Sequence, residues 1–129
     1  MSDIPLDLAK LARVKAALLA YFEEQPTGVS FVELERAAGA DAGGDYLVAN
    51  KACNDANVCW WAGASLEFST AVVQLFAERL IDVHPCEKLI YLIDGRMPVM
   101  PIARRPSATR PYRELHWLPV AFSKHVAAR

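Results

Sequence analysis

Little in this chain points to covalent stapling, to membranes or to catalysis. It holds only three cysteines, Cys53, Cys59 and Cys86, an odd number that closes no disulfide framework. A domain of 129 residues can bury enough core without one, so reduced thiols in a cytoplasmic protein are expected. No apolar run approaches the roughly 18 residues that span a bilayer. The opening MSDIPLDLAK has neither the basic segment nor the apolar core of a signal peptide. No GxGxxG, P-loop, HExxH or GxSxG pattern occurs, which argues against an enzyme, and no cofactor, metal or small-molecule ligand is implied.

What is present is a packed globular composition, 53% apolar and 22% charged. The formal charge of −1 hides an asymmetry. Residues 1–95 carry 7 Lys and Arg against 14 Asp and Glu, whereas residues 96–129 carry 7 against Glu114 alone. An acidic body therefore precedes a basic end, and the end can either meet an acidic partner or fold back on its own body.

Helical spacing is clearest in LDLAKLARVKAALLAYFEEQ, where Leu8, Leu11, Val14, Leu18 and Phe22 share a stripe. Pro5 suits its first turn, and Pro26-Thr27-Gly28 ends it. Ser30 opens a second, short helix through the capping box SFVE, and Gly39 with ADAGGD closes it. A third helix is expected over 45–57, capped by Asp45 and burying Tyr46, Ala49, Ala52, Cys53 and Ala56. A fourth is expected over 65–80, capped by Ser65, with Phe68, Val72, Leu75, Phe76 and Leu80 on one stripe. VCWWAGA between them reads as a short strand. Strands are expected at 81–84 and 89–93, then a turn at Asp94-Gly95 and an extended, Pro-interrupted edge in MPVMPIA.

In LFAERLIDVHPCEKLIYLIDG, residues 75–95, a helix runs into two apolar strands. This order resembles the passage from the last helix of a winged helix-turn-helix domain into its β-wing. The expected fold is α+β and winged-helix-like, with three to four helices, a small antiparallel sheet or hairpin and an extended C-terminal tail. The winged-helix-like domain covers residues 1–103; the Pro-, Arg- and aromatic-rich residues 104–129 form the tail, packed on the domain or on a second subunit. The resemblance implies a recognition helix in the major groove and a wing on the backbone, which needs cations for phosphate and Arg, Asn or Gln for bases.

Those groups are scarce where the resemblance wants them. The 65–80 helix offers Glu67, Gln74 and Glu78 with only Arg79, and the hairpin sets Lys88 against Asp82, Glu87 and Asp94. The 45–57 helix has Asn50, Lys51 and Asn54, but also Asp45 and Asp55. Its phosphate contacts would have to come from Arg104, Arg105, Arg110 and Arg113. The preferred reading is a non-enzymatic protein–protein or oligomerisation module, with a second copy as a plausible partner; a DNA-binding regulator is the alternative. Candidate contact residues are Trp60 and Trp61, which a strand would direct to opposite faces, with Met97, Met100 and Trp117. His84 and Cys86, two apart, share a face of an extended segment and could form a thiol pair or half a metal site; their other reading is as ordinary turn residues.

Overall fold

The structure, a computed structural model, describes residues 6–49, 57–87, 89–98, 100–103 and 113–126. Helix α1, Leu8–Glu24, starts at Asp7, whose carboxylate accepts from the Lys10 amide at 3.0 Å, and buries Leu11, Val14, Leu18 and Phe22. Leu8 stays exposed, outside the stripe that the spacing suggests. Helix α2, Phe31–Ala38, is capped by the Ser30 hydroxyl, which accepts from the Glu33 amide at 3.3 Å. The Glu33 carboxylate accepts from the Tyr21 hydroxyl, tying α2 to α1. Gly39, at φ +65°, stops the helix in a conformation few other residues tolerate.

The expected helix over 45–57 is not formed at its start. Gly43–Val48 is strand β1, paired antiparallel with β3, Trp61–Ala64; residues 50–56 lie outside the described residues. The cause is close backbone approach. A Cβ at Gly44 would sit 2.7 Å from the Ala64 carbonyl oxygen, so this glycine lets β1 press onto β3. Pairing thus overrides a helical stripe whose Tyr46 faces solvent.

Helix α3, Leu66–Ala77, is capped by Ser65, whose hydroxyl accepts from the Phe68 amide and donates to the Asp41 carbonyl. It buries Glu67, Phe68, Ala71, Val72 and Leu75. Its end is a Schellman motif: the Leu80 amide bonds the Leu75 carbonyl and the Arg79 amide bonds that of Phe76. Arg79 takes the left-handed position, φ +58°. That turn leaves Phe76 and Leu80 exposed, although the stripe suggests burial for both.

Strand β4, Ile81–Pro85, follows, but its partner is not the next segment. The run over 89–93 belongs to helix α4, Leu89–Asp94, so the local hairpin expected there is absent. β4 pairs instead with the C-terminal strand, which alternates apolar residues to match it. A two-residue strand β2, Val58–Cys59, runs parallel to β5, His116–Trp117, and Ile102 bridges to Trp117. β6, Val120–Lys124, pairs antiparallel with β4 from Ile81↔Lys124 to Pro85↔Val120. On its other edge Val29 and Phe122 exchange both backbone hydrogen bonds, at 3.0 and 2.8 Å. The fold is α+β, and residues 116–117 and 120–124 are strands within it.

An aromatic cluster fills the centre. Phe31 stacks on Trp61 at 5.3 Å and meets Phe122 edge-on at 5.0 Å; Tyr91 contacts Trp61 and Trp117 at 5.2 and 5.0 Å. The Tyr91 hydroxyl accepts from the Phe31 amide at 3.1 Å and donates to the Val120 carbonyl at 2.6 Å. It therefore satisfies one orphan amide of α2 and one strand carbonyl at once. Tyr91→Phe is expected to strand both groups in the core and to lower unfolding free energy by about 1–3 kcal/mol. A denaturant titration with unchanged midpoint would refute this role for the hydroxyl.

Candidate functional site

The expected contact aromatics do not reach the surface. Trp60, Trp61 and Trp117 are all buried. The chain is irregular at Trp60, between β2 and β3, and the Trp60 amide bonds the Val48 carbonyl. Both neighbouring indoles therefore turn inward, rather than to opposite faces. The Trp117 indole N–H donates to the Trp60 carbonyl at 2.8 Å, and Trp60 meets Phe76 and Phe122 edge-on. Met97 and Met100 are half-buried against the core, and the Cys59 thiol donates to the Met100 sulfur at 3.7 Å. Of the suggested nucleic-acid contacts, Arg113 is exposed; Asn50, Lys51, Asn54, Arg104, Arg105 and Arg110 lie outside the described residues.

Helix α3 is enclosed on two sides. Toward α1, Lys10 pairs with Glu67 at 3.3 Å, and Lys15 bonds Gln74 at 3.2 Å and Glu78 at 2.8 Å. Toward β1, the Ser69 hydroxyl donates to the Leu47 carbonyl at 2.9 Å. Burial alone would raise the Glu67 pKa, but the Asp7 amide, its own amide and Lys10 outweigh it and hold the carboxyl below its usual range. The helix carries no Lys or Arg between Leu66 and Ala77.

Beyond α3 lies a surface that the residue pattern alone hides. Phe76 is 40% exposed, Leu80 41% and Val126 79%. The His125 amide bonds the Leu80 carbonyl, which sets His125 opposite Leu80. A cavity of about 430 Å³ opens there, lined by Phe76, Ala77, Arg79, Ile81, Asp82 and His125. His125 Nδ1 lies 2.9 Å from the Asp82 carboxylate. The left-handed turn at Arg79 ends α3 beside Phe76 and Leu80, and no local sequence signal announces such a turn at an arginine.

A second cluster joins Glu35, Arg96 and Trp61. Arg96 pairs with Glu35 at 3.1 Å and lies over the Trp61 ring, 5.9 Å from its centre. The buried Trp61 N–H makes no hydrogen bond of ordinary geometry, although it lies near enough to Glu35 to favour that group's charged form. Burial is the largest influence on Glu35 and raises its pKa, against Arg96 and Trp61, which lower it. A cavity of about 460 Å³ beside it is lined by Val32, Glu35, Arg36, Gly39 and Arg96, among others.

His84 and Cys86 do not work as a pair. His84 Nε2 bonds the Ser123 hydroxyl at 3.0 Å, while burial, with Glu87 beside it, pushes the Cys86 thiol up to about 11. Among the described residues no three His, Cys, Asp or Glu come close enough to hold a metal ion, and no helix is long and apolar enough to cross a membrane. No protein-family model, curated protein or solved structure matches the chain.

Two titrations follow from these environments. With Cys53 and Cys59 replaced by serine, Cys86 should alkylate slowly near neutral pH and accelerate until about pH 11; a rate that levels off near pH 8 would contradict its burial. Glu35 stabilises the fold fully only below its unfolded pKa, and that contribution is lost as pH rises through the higher folded value. Arg96→Ala should raise the Glu35 pKa further, as read by carbon NMR of the carboxyl; a fall would show that Arg96 does not act on it.

Proposed function

We propose that the chain is a non-enzymatic association module built on a winged-helix-like scaffold. Support for the scaffold comes from connectivity: α1, the Val29 strand position, α2, α3, β4 and β6 follow in that order, and the sheet order is Val29–β6–β4. In this reading α2 and α3 are the helix-turn-helix pair and β4 and β6 are the wing strands. Two insertions, 39–64 and 86–119, elaborate it. The wing is therefore closed by the C-terminal strand and not by the segment that follows β4.

One observation carries the functional choice. The helix in the recognition position, α3, is covered by β1 through the Ser69–Leu47 hydrogen bond and contains no cation. It can neither enter a major groove nor neutralise phosphate there. The 45–57 alternative loses its helical start to β1. What the scaffold offers to a partner is an apolar rim at the end of α3, where Phe76 and Ala77 line a cavity and Leu80 is exposed just after them.

The direct test titrates fluorescent duplex DNA with the protein at low salt, alongside Phe76→Ser/Leu80→Ser. No specific or salt-steep binding is expected, and the double variant should lose about tenfold or more in association with its macromolecular partner. Tight duplex binding that falls steeply with salt would overturn the reading in favour of a DNA regulator whose cations come from residues 104–113.

A further inference from the structure

We propose that this protein forms a two-fold dimer in which the outer edge of β4 pairs antiparallel with β4 of a second copy, centred on Val83. The proposal rests on the association reading and names its partner.

The register of β4 on β6 dictates which backbone groups are free. The His125 amide bonds Leu80 and the Cys86 amide bonds Pro119, so even-numbered residues of β4 direct their backbone groups at β6. The other edge of β6 obeys the same alternation: Phe122 bonds Val29, and the Lys124 amide bonds Pro26. The amides and carbonyls of Ile81 and Val83 therefore point away from β6. Among the described residues no strand pairs with that edge. An open edge of this kind is a template for another strand.

Side-chain alternation then selects the partner and the register. Ile81 and Val83 share the inward face with the buried Val120 and Phe122, whereas Asp82 and His84 share the outward face with Ser123 and His125. With the axis at Val83, the two partly buried Val83 residues exchange both backbone hydrogen bonds, and the fully buried Ile81 takes no part. Pro85 offers no amide and ends the pairing. On the inward face valine meets valine. On the outward face Asp82 lies opposite His84 of the second copy, and this occurs twice by symmetry. Moving the axis by one residue to Asp82 would set two Asp82 carboxylates against each other, so charge favours Val83.

The edge is thus self-complementary in hydrogen bonding, hydrophobicity and charge. An isologous contact of this kind closes on itself and gives dimers, not filaments. Leu80, exposed at the start of the strand, extends the contact. His84 is held in place by Ser123, and Asp82 by His125, so both outward side chains are already oriented.

Sedimentation equilibrium of the full chain tests the proposal, with circular dichroism confirming that each variant folds. The wild type should sediment at twice its 14.2 kDa. Val83→Pro removes an outward amide without touching the β4–β6 bonds and should weaken the dimer about tenfold or more. His84→Asp leaves the backbone intact, places like charges opposite each other and should weaken it to a similar extent; adding Asp82→Lys should restore it. A wild type that stays monomeric at high micromolar concentration overturns the proposal. So does a dimer indifferent to all three variants, which must use another surface. Neither result touches the association reading, which stands or falls on the DNA titration.

Discussion

β6 holds the molecule together because it is paired on both edges at once. Phe122 is the point where this happens: its backbone bonds Val29, its register partner on β4 is Val83, and its ring meets Phe31 and Trp60. Tyr91 adds a third tie by bonding the Val120 carbonyl and the first amide of α2 together. Helices α1 and α2, strand β4 and helix α4 are all referred to a strand near the C-terminal end of the chain. Their placement depends on a segment far from them in sequence, so loop closure must precede the contacts that reward it.

The same constraint decides the role of α3. Once α1 and the β1–β3 pair grip it from two sides, its exposed surface contracts to its C-terminal end. Its charges are then spent internally. Glu67 is held by Lys10 and the Asp7 amide, and Glu78 by Lys15. Pairs of this kind are modest in energy when they reach solvent. Their greater effect is orientation: they fix the helix against α1 and leave no cation for a polyanion.

Much of the helical content was legible because its signals are local. The stripe of Leu11, Val14, Leu18 and Phe22 is carried by spacing alone, and Ser30 and Ser65 announce their helices by capping. The pairing of β4 was not legible, since nothing near Ile81–Pro85 distinguishes a partner at 89–93 from one at 120–124. What separates them is Tyr91, whose burial among Trp61 and Trp117 takes α4 out of the sheet. The strand at Gly43–Val48 was masked by alternating small and apolar residues that also suit a helix. Its Gly44 makes sense only once the Ala64 backbone lies against it. The indoles were misread for a related reason: a one-residue irregularity at Trp60 turns both inward, and strand alternation cannot foresee it.

The exposed rim and the open edge share one origin, the left-handed Arg79. An arginine in that conformation costs roughly 1 kcal/mol relative to glycine, so the turn persists because its surroundings hold it. The Schellman bonds from Leu80 and Arg79 end α3 there and set the phase of everything that follows. With Leu80 facing out, Ile81 faces in, Asp82 out and Val83 in. A helix end displaced by one residue would invert that alternation, bury Asp82 and His84 and expose Ile81 and Val83. The burial of Ile81 against Phe122's strand forbids this, and it thereby also fixes which amides of β4 remain open. The core contact and the free edge are two faces of one register.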